Sequence, residues 1–246
     1  MAIGELYASQ CFVGARDRAR NLFKMNLVNL AGSCVGQLRE KGYSAIAVQD
    51  REEAAQRLFK IGKSALTPVM SPAHNDFTEK NSFALFLTKD GQDAAGLLVR
   101  HDDIGSETVE SYWSRIATRA YAGQGANALS KVANPLTRHM GGKLIYLGDL
   151  HRAKNDRGSI GVLMPFIQLT HCLAYLEYEF DWVYAFMRPR DVETGFAVRY
   201  GFTWSIPNAQ TWAAPAEGRV SEEYLVAASR EDVEYVIECR ASSLSN

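Results

Sequence analysis

The sequence predicts a mixed α/β protein, a central sheet with helices packed against it. Three observations carry that prediction. Residues 82–101 hold two apolar runs, SFALFLT and AAGLLVRH, joined by Lys89-Asp90-Gly91-Gln92, and Asp-Gly between such runs is a strong hairpin signal. Residues 143–187 then alternate a strand-like run, a helical apolar segment and a second strand-like run. Two helical patterns precede the hairpin. Elements alternating in this way stack as layers around a shared core. The chain has 246 residues, 47% hydrophobic and 22% charged, an ordinary globular composition with enough apolar side chains for a sizeable core.

The elements follow in order. Residues 5–40 read as a helix: Leu22, Phe23, Met25, Leu27, Leu30 and Val35 form its apolar stripe, and Gly42 fits a C-terminal stop. Asp50 to Lys60 reads as a second helix, with Asp50 as N-cap and acids in the first turn. Residues 64–80, with Pro68, Pro72 and Asn75, read as a loop. The hairpin comes next. Residues 106–140, rich in Ala, Ser and Arg, read as one or two helices ended by Gly141-Gly142. KLIYLGDLH (143–151) is a strand, 160–178 a helix and 182–187 a strand whose Trp182, Tyr184 and Phe186 share one face as core. Asp191 to Tyr200 reads as a short helix capped by Asp191. Residues 202–212 are strand-like, with Pro207 marking an edge or bulge. Trp204 and Trp212 flank that segment and are candidate pocket walls. Residues 223–229 form a last strand, and 230–240 a strand or helix.

Composition excludes several classes. Net charge is -1, so no global field favours nucleic acid or an acidic membrane surface. The four cysteines, Cys11, Cys34, Cys172 and Cys239, form no C-x-x-C pair. His74, His101, His139 and His171 stand at no metal-binding spacing, so no metal is expected. There is no G-x-S-x-G elbow of a serine hydrolase. No apolar run reaches the ~18 residues of a membrane span, and the start lacks a signal-peptide layout. A soluble, cytoplasmic protein is the expectation. GQGANA (123–128) fits G-x-G-x-x-A with Asp149 downstream. That motif must follow a buried strand, whereas the preceding segment reads as a helix. The loop residues His74, Asn75, Asp76 and Glu79 are candidates for substrate contact or for a solvated loop.

The stretch LHRAKNDRGSIGVLMPF (150–166) places Gly158 and Gly161, with Arg152, Lys154 and Arg157 close by, between a strand and a helix. A glycine turn at a helix N-terminus aims free backbone N–H groups at one point, and the helix dipole adds positive potential. Phosphate binds well in such a place. The order of strand 143–151, glycine turn 155–161, helix, strand 182–187, short helix and Gly201-Phe202 resembles the GCN5-related N-acetyltransferase (GNAT) superfamily, as a divergent member. The hairpin 82–101 sits where that family has its second and third strands, and the resemblance covers about residues 65–230. The chain departs from the family pattern at Asn155, where Gln or Arg is usual, and at Ile160, where Gly or Ala is usual. It departs again at Ala197, the place of a tyrosine that serves many members as general acid.

The resemblance implies a mixed, mostly antiparallel sheet flanked by helices and an acyl-CoA N-acyltransferase-like fold. It sets residues 1–62 apart as an N-terminal helical extension packed on a core domain of residues 63–246, with a helical insert at about 106–140. It implies acetyl-CoA, or another acyl-CoA, as co-substrate. Arg152, Arg157, Gly158, Ser159, Ile160 and Gly161 would hold the pyrophosphate, and the pantetheine arm would lie beside 147–151 with the acyl carbon near Leu150. Asp149 and His151 are the candidate bases and Tyr200 the candidate acid. The acceptor would be a small-molecule or peptide amine. An edge strand near the C-terminus leaves room for a homodimer. Two other readings stay open: a catalytically degenerate CoA-binding or protein-interaction module, and a dinucleotide-binding enzyme.

Overall fold

A computed structural model describes residues 3–121, 129–156, 161–213, 219 and 222–244. Seven strands form one sheet: β1 (Ser44–Val48), β2 (Ser82–Lys89), β3 (Gln92–Asp103), β5 (Lys143–Arg152), β6 (Trp182–Met187), β9 (Tyr224–Ser229) and β7 (Trp204–Pro207), in that spatial order. All neighbours are antiparallel except β5 and β6, which run parallel. β4 (Leu129–Val132) and β8 (Gln210–Trp212) make a separate two-stranded ribbon. The mixed, mostly antiparallel sheet is therefore present, with the expected order of hairpin, strand, helix, parallel strand and Gly-Phe.

Period-two alternation sorts the core into two layers. Phe83, Leu85, Val99, Ile145, Leu147 and Val183 face one way, against α1 (Ile3–Glu40), α5 (Leu163–Glu177) and α8 (Arg230–Ser242). Ala84, Phe86, Leu98, Leu144, Tyr146 and Tyr184 face the other way, against α2 (Arg51–Lys60) and α3 (Val109–Ala120). α2 starts as its sequence predicts: the Asp50 side chain accepts from Glu53 N at 2.9 Å. Its Leu58 is fully buried, so truncation to Ala would cost about 3 kcal/mol. α8 carries a full capping box between Ser229 and Asp232. That box settles 230–240 as a helix.

Several expectations change. Residues 44–48, unassigned in the sequence, are an edge strand paired with β2 from Ser44–Thr88 to Val48–Ala84. The chain before residue 62 is thus woven into the same sheet. Residues 129–132, placed in a helical segment, form β4, between α3 and α4 (Asn134–His139). The expected helix 191–200 is two short ones, α6 (Pro189–Glu193) and α7 (Phe196–Tyr200), because Gly195 takes φ 79° between them. Asp191 sits inside α6 rather than capping it. Pro207 ends the edge strand β7, where its missing N–H costs no ladder bond. The motif at 123–128 lies outside the described residues. Among the described residues no helix is long and apolar enough to cross a membrane.

Candidate functional site

The parallel ladder between β5 and β6 is short. Leu144, Ile145 and Tyr146 pair with Trp182, Val183 and Tyr184, and the pairing stops there. Beyond Tyr146 the two strands diverge and leave a wedge. The cause lies on the other side of β5. There the register with β3 shifts between Gly96–His151 and Leu98–Gly148, so Asp149 and Leu150 together oppose Leu97. This is a β-bulge, and a bulge bends its strand. Asp149 adopts φ 56°, a left-handed conformation that aspartate tolerates better than most residues.

Asp149 holds the bulge in place. Its carboxylate accepts from Thr67 N (3.1 and 3.2 Å) and Thr67 Oγ1 (2.8 Å), and pairs with Lys63 Nζ at 2.9 Å. The side chain is 2% exposed. Held by Thr67 and Lys63 and nearly enclosed, Asp149 is built as an anchor between the α2–β2 connection and β5. A proton-accepting part does not fit this geometry. His151 lies on the same side, its Nε2 4.0 Å from where a Cβ on Gly62 would be. Leu150, between them, is 38% exposed, an apolar side chain at the wedge.

The turn after β5 is tied back to the fold. Arg152 pairs with Asp156 at 2.7 Å, and Tyr43 donates to the same carboxylate, so Arg152 is held by the protein itself. Arg157, Gly158, Ser159 and Ile160 lie outside the described residues. Gly161 has φ 77°, and Lys41 Nζ stands 3.9 Å from where its Cβ would be. That ammonium, from the end of α1, had no signal in the local sequence. α5 follows with no side-chain cap at Val162. Pro165, its third residue, offers no N–H, one donor fewer than a standard helix start.

Tyr200 sits on the α5 side of the sheet, 7% exposed, stacked on Phe196 at 5.6 Å. Burial raises its pKa. It is a core residue of α7.

The opposite face of the wedge holds groups that the sequence reading missed. Tyr146 and Tyr184 stack at 5.0 Å, and Trp113 Nε1 donates to Tyr184 Oη at 3.2 Å. With Phe186, Tyr121 and Trp212 they line an open cleft. Arg219 crosses it. Its guanidinium lies 3.8 Å from the Phe186 ring centre, donates to Gln210 Oε1 (3.1 Å), and pairs with Glu223 at 2.9 Å. Both side chains are nearly enclosed, 5% and 15% exposed. Burial pushes the Glu223 carboxyl above its usual range, and Arg219 and Arg188 oppose that shift only in part. Burial likewise pushes the Tyr146 phenol up to about 12. The cleft thus offers the Arg219 guanidinium and a protonated phenol, and the Glu223 carboxylate, of raised basicity, is held on Arg219.

Trp212 lines the cleft as expected, whereas Trp204 packs on Trp182 at 5.0 Å instead. Asn75 bridges Arg100 (3.0 Å) and Arg119 (2.6 Å), which gives that loop residue a structural part. Tyr146 becomes the partner of Tyr184 only through the β5–β6 ladder. Arg219 and Glu223 sit in EGRVSEE, which carries no pattern.

No protein-family model matches the sequence, and no curated protein matches it. Solved structures do align with the fold. NAA60 of Arabidopsis thaliana, in complex with acetyl-CoA, aligns over 77% of this chain and 99% of its own, at 9% identity and TM-score 0.40. FeeM, an N-acyl amino acid synthase from uncultured soil microbes, aligns over 78% and 92%, at 13% identity and TM-score 0.43. An agmatine N-acetyltransferase aligns over 75% and 99%, at 8% identity and TM-score 0.41.

Proposed function

We propose that this chain is an acyl-CoA-dependent N-acyltransferase, acetyl-CoA being the first donor to try and a small-molecule or peptide amine the acceptor class. The observation that carries the reading is the wedge. A parallel strand pair stops after three residues, a pinned bulge turns β5 aside, and a helix start with Gly161 and Lys41 stands after the turn. Among the described residues, the main chain of β5 beyond Tyr146 has no strand partner on the β6 side. An extended amide-bearing arm would add there like a short strand. The diphosphate would lie toward Gly161 and Lys41, together with the sequence-designated Arg157, Gly158, Ser159 and Ile160.

The acceptor enters from the aromatic cleft. Its amine attacks the thioester carbonyl, the C–S bond breaks, and the acyl group leaves on nitrogen. Glu223, directly or through water, takes the proton that the amine loses. The Tyr146 hydroxyl returns a proton to the departing thiolate. His151 remains a candidate for the water path. Holding donor and acceptor together supplies most of the acceleration.

The rival reading is a fold that binds CoA without turnover, which Ala197 in the place of the family's tyrosine favours. Calorimetry with acetyl-CoA, followed by a thiol-release assay over a panel of amines, separates the two. Saturable binding with amine-dependent thiol release supports transfer. Binding without release supports the rival. No binding up to ~1 mM sinks both.

A further inference from the structure

We infer that a second pocket, on the sheet face away from the aromatic cleft, is a binding site for a small aliphatic carboxylate. The pocket is a half-open groove among α1, α5, α7 and α8. Its walls combine two kinds of surface. Leu30, Val233, Val236 and Ile237 are apolar, while His171 and Arg240 bring polar groups to the same space.

His171 is 8% exposed, and its Nε2 has no hydrogen-bond partner. Leaving a buried ring nitrogen unsatisfied is costly, so such an atom calls for a partner. Arg240 presents the complementary charge, half-buried at the same groove. It makes no ion pair with any carboxylate among the described residues. Its Nη2 donates to the carbonyls of Arg199 (2.7 Å) and Val198 (3.5 Å), which caps the end of α7. Capping accounts for that one nitrogen. Nε and Nη1 reach no acceptor among the described residues. Burial of this cation lowers its pKa, as expected of a charge taken from water without a counter-ion.

An anion seated between Arg240 and His171 gives the buried ring nitrogen a partner and the guanidinium a counter-ion. A carboxylate matches the planar guanidinium edge and accepts from a ring N–H at once. The four aliphatic walls then select a short hydrocarbon tail over a fully hydrated anion. The inference uses none of the residues assigned to the wedge or the cleft.

The test titrates sodium butyrate into the full chain by calorimetry, with inorganic phosphate in parallel. Two variants accompany it. Arg240→Gln removes the charge. Val236→Phe puts a ring at the mouth beside Gly201 and keeps both polar groups. Circular dichroism checks that each variant is folded. The expected result is saturable butyrate binding, weakened about tenfold or more in each folded variant, with little heat from phosphate. No saturable butyrate heat, or butyrate affinity unchanged in a folded variant, overturns the site. Phosphate binding as tight as butyrate overturns the carboxylate assignment.

Discussion

At the residue scale, two carboxylates near the wedge differ in what surrounds them. Asp149 is surrounded by donors and a lysine, whereas Glu223 has one arginine and a shift that burial dominates. Their replacements should therefore separate. Asp149→Ala leaves Lys63 without its partner and the bulge without its anchor, so urea unfolding should show a loss of about 3 kcal/mol or more. Glu223→Gln keeps volume and polarity but cannot take a proton. With an amine that supports turnover, kcat/KM should fall by about 10²-fold or more, while acetyl-CoA affinity changes little. The raised pKa of Glu223 sets the sign of the pH effect. Below it the carboxyl is protonated and unable to act, so the wild-type rate should drop as pH falls through a value above the ordinary glutamate range. The variant should lack that limb. A rate of Glu223→Gln equal to wild type would move the base elsewhere, with His151 next in line.

At the element scale, the close approach of α2 to the sheet depends on one missing methyl. A Cβ on Gly96 would lie 2.5 Å from Phe86 Cε1 and 2.8 Å from Leu58 Cδ2. Both neighbours are fully buried, so neither can swing away. Gly96→Ala should cost about 1–3 kcal/mol by denaturant titration, and it should loosen the β3–β5 register next to the bulge. A variant as stable as wild type would mean that α2 is free to shift. This contact also shows why some elements were readable and others not. The β2–β3 hairpin announces itself through Asp90-Gly91 because turn chemistry is local. β1 does not: SAIAV is five residues long, and only its pairing with β2 makes it a strand. β4, inside a polar stretch, exists through β8, some eighty residues away. α7 and α6 separate at Gly195, which a single helical pattern across 191–200 passes over.

At the scale of the whole molecule, the sequence disclosed what depends on local order and concealed what depends on convergence. Strand, helix, parallel strand and Gly-Phe follow each other along the chain, so the sheet and the place of the wedge were legible. Lys41, Tyr146 and the Arg219–Glu223 pair come from three separate parts of the chain, and only folding gives each its neighbours. Asp149 was picked for its place in β5, but the Thr67 and Lys63 contacts that occupy it are long-range. The same convergence buries His171 in the layer formed by α1, α5, α7 and α8. The titratable and charged groups around it are Cys34 from α1, Cys172 beside it, Tyr200 from α7 and Arg240 from α8. Burial first, and then the Arg240 charge, lower its pKa to about 4. The folded state therefore releases a proton that the unfolded chain binds near pH 6.5. The stability this gives is complete above that pH and is lost as pH falls toward 4, by about 3 kcal/mol in all. Urea unfolding at pH 7, 6, 5 and 4, in buffers free of carboxylic acids, should show wild type losing stability faster than His171→Phe. The variant keeps an aromatic ring against Phe202, with which His171 now makes an edge contact at 5.3 Å. Other carboxylates titrate equally in both proteins, so the difference between the two curves isolates His171. A difference that stays constant from pH 7 to 4 would show that the imidazole is not held neutral in the folded layer.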